Sequence, residues 1–125
     1  MQKQLADLLH AADDKTLPVS AILQQMARSA LHFRERRRAI LGSDNFVDPG
    51  WDLLLLLAAN REPTLGIACS EAAQRSGTSP KVMDRFADLL AAQGLVEVLD
   101  MPSGKRAKLT PQGTETLARL IGVQL

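Results

Sequence analysis

Tyrosine is absent from the 125 residues, and aromatic side chains make up only 3% of them. A core built with so few rings must be packed by aliphatic side chains. The 46% apolar content is mostly Leu and Ala, which favours helices. Cysteine occurs once, as Cys69, so no intrachain disulfide can form and a cytoplasmic setting is the expectation. Long apolar runs are missing too. Leu53 to Leu57 falls far short of the ~18 apolar residues of a membrane span. The first segment has neither the continuous apolar core nor the cleavage site of a secretory signal, which fits a soluble intracellular protein. Excess charge of one sign is also lacking, the formal net charge being +1. What the total hides is the distribution: Arg34, Arg36, Arg37 and Arg38 cluster, as do Lys105, Arg106 and Lys108. Local basic patches can bind phosphates at any net charge.

Catalytic chemistry has no carrier in the sequence. No Ser/His/Asp or Cys/His set and no carboxylate pair in a plausible cleft can be assembled, so no catalytic residue and no enzyme is expected. His10, His32 and Cys69 lack metal-ligand spacing, which argues against a zinc site. Ser103-Gly104-Lys105 lacks the upstream glycine of a phosphate loop, and Arg106 stands where Ser or Thr is required. No cofactor is expected. Cys69, near a helix start, reads as a small packed hydrophobe in preference to an oxidant sensor.

What is present is a series of short helices with clear punctuation. Leu5, Leu8, Leu9 and Ala12 give residues 2–12 a helical period, and Asp13-Asp14-Lys15 with Pro18 marks a break. From Ser20, Leu23, Met26, Ala30, Phe33 and Ile40 keep heptad spacing, with Arg37 interrupting one seam position, until Gly42. That seam fits packing on the chain's own core or against a second copy. The arginine run lies in the last turns of this helix, where it complements the dipole and could also meet phosphates or a salt-bridging partner. Asp48-Pro49 opens a helix to about Asn60, whose five leucines surround it completely and require burial on all sides.

After Glu62-Pro63, Thr64 to Ile67 could form a very short strand. Cys69 or Ser70 then caps a helix over residues 71–75 that ends at Ser76-Gly77. Ser79-Pro80 opens the next helix, which runs to Gln93 with Gly94 as its stop. Leu95 to Leu99 reads as a strand, Asp100 to Gly104 as a turn, and Ala107 to Leu109 as a second strand. Thr110-Pro111 caps a last helix carrying Leu117, Leu120 and Ile121. Helix, strand, helix, tight turn, helix and a basic-tipped hairpin make a winged helix-turn-helix. The expected class is mainly α with a small β-wing. Residues 1–45 would supply N-terminal helices, a possible dimerisation arm, and residues 46–125 the DNA-binding unit.

On the helix that starts at Pro80, Met83, Phe86, Ala87 and Leu90 share the core side. Lys81, Arg85 and Asp88 lie opposite, with Asp84 at the border. Lys81 and Arg85 sit where a recognition helix meets DNA, and Asp88 is spaced to pair with Arg85 and direct it. The wing cations Lys105 and Arg106 are placed for phosphates.

From about Arg34 to Gly122 the chain resembles the MarR-type transcriptional regulators. The resemblance is carried by the basic run before Ile40-Leu41-Gly42, and by Phe46 and Asp48-Pro49-Gly50-Trp51-Asp52-Leu53-Leu54. It continues through Ala72-Ala73, Ser76-Gly77, Gly94-Leu95-Val96, Gly104-Lys105-Arg106 and Leu109-Thr110-Pro111-Gln112-Gly113. It implies a dimeric repressor or activator that binds double-stranded DNA, often with terminal helices forming the dimer. In that pattern the residues near the start of the second motif helix meet bases, here Thr78, Ser79, Lys81, Val82 and Arg85. The wing reaches phosphates or the minor groove, here through Lys105 and Arg106. The last helix is short, so a homodimer would use the N-terminal helices. Asp84 and Asp88, with the modest net charge, instead suit a winged-helix adaptor or accessory regulator that binds protein and not DNA. The operator, the direction of regulation and any small-molecule effector are not encoded legibly.

Overall fold

The computed structural model describes residues 16–42, 48–62 and 64–122. The helix expected over residues 2–12, and Phe46, lie outside them. Helix α1 spans Thr16–Leu41 and α2 spans Pro49–Ala59. After the two-residue strand β1 (Ile67–Ala68) come α3 (Cys69–Ser76) and α4 (Pro80–Ala92). The hairpin β2 (Val96–Met101) and β3 (Gly104–Leu109) leads into α5 (Pro111–Ile121). The chain folds as a winged helix-turn-helix, mostly helical with one antiparallel three-stranded sheet in the order β1-β3-β2. No described helix is long and apolar enough to cross a membrane.

Helix α2 is the centre. Asp48 accepts a hydrogen bond from the Trp51 amide at 3.3 Å and so caps its start, with Pro49 in the first turn where no amide partner is needed. Leu53, Leu54, Leu55, Leu56 and Leu57 are all buried, as a helix apolar on every side requires. Met83 and Ala87 of α4, Leu117 and Ala118 of α5, and Ala72 and Ala73 of α3 join them in one core.

Helix α1 divides its apolar residues between two faces. Leu23, Ala27 and Leu31 are buried in the core, a stripe of step four that keeps to one face of the helix over these turns. Met26, Phe33 and Ile40, seven residues apart, point outward with Ile22 and Leu41, and Phe33 and Ile40 are 63% and 75% exposed. The heptad series therefore does not pack on the chain's own core as a unit. Only Leu23 and, in part, Ala30 do so. The helix also begins earlier than Ser20. Pro18 falls inside its first turn, where proline's missing amide costs no hydrogen bond.

Two other boundaries differ from the sequence reading. Helix α3 starts at Cys69 with Ala68 before it and no side-chain cap, so neither Cys69 nor Ser70 serves as one. Pairing with β3 through Ile67↔Ala107 and Ala68↔Arg106 fixes the chain at that entry instead. The wing strands run to Met101 and from Gly104, leaving only Pro102-Ser103 as the turn. Asp100 lies opposite Lys105 and Glu97 opposite Lys108 across the ladder, and opposite charges on facing residues extend the pairing.

Two glycines fix the site's frame. Gly77, at φ 78°, turns the chain from α3 into α4 in the left-handed region that L side chains rarely adopt. Gly113 lets α5 press onto the end of the hairpin, since a Cβ there would fall 1.9 Å from the Leu95 carbonyl oxygen. Thr110 completes that junction. Its hydroxyl accepts from the Gly113 amide at 2.9 Å and donates to the Gly94 carbonyl at 2.6 Å.

Candidate nucleic-acid interface

The second motif helix, α4, is set by a short turn and a strong start. Thr78 donates its amide to the Ala73 carbonyl at 3.0 Å, closing the turn around Gly77. Ser79 caps α4 by accepting from the Val82 amide at 3.2 Å, an interaction worth about 1 kcal/mol, with Pro80 following it. The capping bond uses a lone pair of the Ser79 hydroxyl and leaves its proton free to donate outward. Met83 and Ala87 are buried and Phe86 is half-buried, with its ring against Gly50 of α2. That packing sets the rotation of the helix.

The same rotation exposes Lys81 and Arg85, one turn apart on the outer surface. Thr78 and Val82 are half-buried beside them and Ser79 is exposed. Neither Lys81 nor Arg85 has an ion pair or a side-chain hydrogen bond among the described residues. The five candidate base-reading residues thus lie together, Thr78 and Ser79 just before α4 and Lys81, Val82 and Arg85 in its first two turns.

Both acids of α4 turn toward the chain's own neighbours. Asp88 takes the ammonium of Lys105 on β3, with Nζ 3.0 Å from each carboxylate oxygen. It does not pair with Arg85, because the wing brings a cation closer to it than the three-residue helical spacing does. Asp84 lies beside the Cys69 thiol. Burial first, and the Asp84 charge second, push that thiol from 9.0 up to about 11. Lys105, in turn, is held above its usual lysine value, chiefly by its hydrogen bond to Asp88.

The other wing cations are also engaged. Arg106 donates from Nε to the Leu65 carbonyl and from Nη2 to the Gly66 carbonyl, both at 3.1 Å, tying the wing to the loop before β1. Those bonds use two of its five N–H groups and leave three. Lys108 faces Glu97 at 3.5 Å.

The chain is similar in fold to solved transcriptional regulators. It matches the transcriptional regulator PA3341 with 28% identity, covering 82% of this chain and 77% of that one, at a TM-score of 0.45. The regulator BldR from Sulfolobus solfataricus matches with 18% identity over 88% and 76%, at 0.48. The MarR family protein Rv2887 of Mycobacterium tuberculosis, solved in complex with p-aminosalicylic acid, matches with 22% identity over 86% and 77%, at 0.41. No family model and no curated protein matches the sequence.

Arg34 and Arg38 of the arginine cluster turn inward. Arg34 donates from Nε to Oδ1 of Asp52, which is only 3% exposed, and the Ser76 hydroxyl donates to Oδ2 at 2.7 Å. Arg38 donates to the carbonyls of Ser76 and of Arg75, the latter at 2.7 Å. One network therefore fastens α1 and α2 to the end of α3, beside the turn that aims α4. Arg34 and Arg38 belong to it, and their partners lie within the chain. A signal for this was present. Positions 34 and 38 continue the buried stripe of Leu23, Ala27 and Leu31, and Asp52 stands in a helix that must be buried all round.

The thiol gives a direct check on the geometry around α4. Raised to about 11, Cys69 holds roughly a hundredfold less thiolate at neutral pH than at its ordinary value. Alkylation by iodoacetamide at pH 8 is expected to be at least that much slower in the folded chain than in urea. Equal rates would remove Cys69 from its buried place beside Asp84.

Proposed function

We propose that this chain is a MarR-like transcriptional regulator that binds specific double-stranded DNA sequences as a homodimer, α4 entering the major groove. The observation that carries the reading is the pairing of Lys81 and Arg85 on the outer face of a capped second motif helix, with no internal partner among the described residues. Arginine there suits bidentate contact to guanine O6 and N7. Thr78, Ser79 and Val82 frame it, and Arg106 of the wing approaches the flanking backbone. The acids that favour a protein adaptor lose much of their force. Asp84 faces Cys69 and Asp88 faces Lys105 within the chain.

The outward stripe Ile22, Met26, Phe33, Ile40 and Leu41 supports the dimer through the N-terminal arm, because seven-residue spacing on one helix face suits a second helix of the same kind. Two copies of α4 would then meet half-sites about 34–36 Å apart. Phe33→Asp is expected to convert the chain to a monomer in light scattering while its circular dichroism stays native. A variant that remains dimeric would move the interface elsewhere.

Arg85→Ala tests the base-reading role. Specific binding should weaken by about 1–3 kcal/mol, roughly five- to 150-fold, and one base preference should relax. Equal losses on a selected and a random duplex would reduce Arg85 to a phosphate contact.

A further inference from the structure

Every wing cation named above has a partner inside the chain, whereas the two cations at the start of α4 have none among the described residues. Arg106 and Lys108 are held within the sheet and its adjoining loop. Lys105 is different, because its partner, Asp88, stands on α4 itself and meets the ammonium with both carboxylate oxygens at 3.0 Å. Asp100, its cross-strand neighbour, and Asp84 add negative charge around it. Both partners of the pair keep solvent access, with side-chain exposures of 31% for Lys105 and 57% for Asp88, so a phosphate could reach the ammonium.

We propose that Asp88 is a positioning residue of the interface: an internal counterion that holds Lys105 on α4 and withholds it from DNA phosphates. This rests on the DNA reading proposed above and deepens it. Binding to DNA of arbitrary sequence gains its free energy from cations that release condensed counterions. A lysine already neutralised by a carboxylate releases none on net, since a phosphate must displace the carboxylate or sit beside it. The wing then serves as a brace for α4, and sequence-independent grip falls to cations such as Lys81. The same ion pair couples the wing's position to the helix it braces.

The test is a double-mutant cycle of Asp88→Asn and Lys105→Ala on a random duplex, read by fluorescence anisotropy across a salt series. Asp88→Asn keeps the side chain's size on an exposed helix face. It should steepen the slope of log K against log salt by about 0.9 and tighten binding about five- to tenfold at 0.1 M salt, the contribution of one added phosphate contact. Lys105→Ala should change the wild type less than about twofold and should remove the whole gain from the Asp88→Asn background. If Lys105→Ala costs the same in both backgrounds, Asp88 acts only through its general negative field and the proposal is overturned. An unchanged slope in Asp88→Asn overturns it as well. Failure of the DNA reading looks different, since neither the wild type nor Asp88→Asn would then bind any duplex at low salt.

Discussion

Asp52→Ala is expected to destabilise the fold by about 3–5 kcal/mol, the cost of leaving one member of a buried ion pair without its partner. Arg34, whose side chain is only 12% exposed, would keep its charge without its carboxylate, and the Ser76 hydroxyl would lose its acceptor. A domain of this size holds only about 5–15 kcal/mol in total, so the variant would be marginal at ambient temperature. Urea denaturation measures the loss as a shift in midpoint. The pair itself is not the source of the stability. Replacing both partners with apolar side chains, as in Asp52→Leu with Arg34→Met, should recover most of the loss, because the desolvation penalty disappears along with the attraction. If the double variant is as unstable as Asp52→Ala, the damage comes from packing around α2 and not from an orphaned charge. DNA binding should separate the two effects. The network ends at Ser76, next to the Gly77 turn, so Asp52→Ala should weaken duplex binding beyond its loss of folded protein.

Leu55→Ala supplies the contrast and the second large effect. Leu55 is fully buried at the centre of α2, and its truncation should cost about 2–5 kcal/mol through lost transfer free energy and the cavity left behind. No hydrogen bond of the α1–α2–α3 network passes through it. The folded fraction should therefore bind DNA with wild-type affinity, measured at low temperature and low denaturant. A loss of affinity in that folded fraction would mean that core volume, and not the polar network alone, aims α4.

Much of the architecture was legible because short helices carry their own punctuation. Asp48-Pro49, Ser79-Pro80 and Thr110-Pro111 each combine a side-chain acceptor with a residue that needs no amide partner, and each starts a helix. Gly77 and Gly94 end two of them with positive φ. The five leucines announced a helix buried on all sides. Elements held by long-range pairing were less legible. The start of α3 has no cap to read, and the length of the wing strands follows from a register that puts Glu97 opposite Lys108 and Asp100 opposite Lys105. The charged residues were hardest to assign, since a helical wheel gives direction but not company. It placed Asp88 beside Arg85, while the fold delivers Lys105 from a strand 17 residues away. For Arg34 and Arg38 the dipole gave a sufficient local reason, and their continuation of the buried stripe was the better one.

This division has a physical sense for the interface. Cations that are bound internally, Arg34, Arg38, Lys105 and Arg106, shape the frame in which α4 is presented. Lys81 and Arg85 have no internal partner among the described residues, which is the condition for an exposed cation to exchange water for a base or a phosphate without first breaking an ion pair.

The most direct measurement is duplex binding across a salt series, comparing a sequence selected from a randomised pool with a random duplex of equal length. The account predicts binding at low salt that weakens steeply as salt rises, with a slope near 0.9 for each phosphate neutralised, and a selected sequence that is retained when the random one is lost. No binding to any duplex at low salt would contradict it and leave the protein-binding adaptor as the better reading.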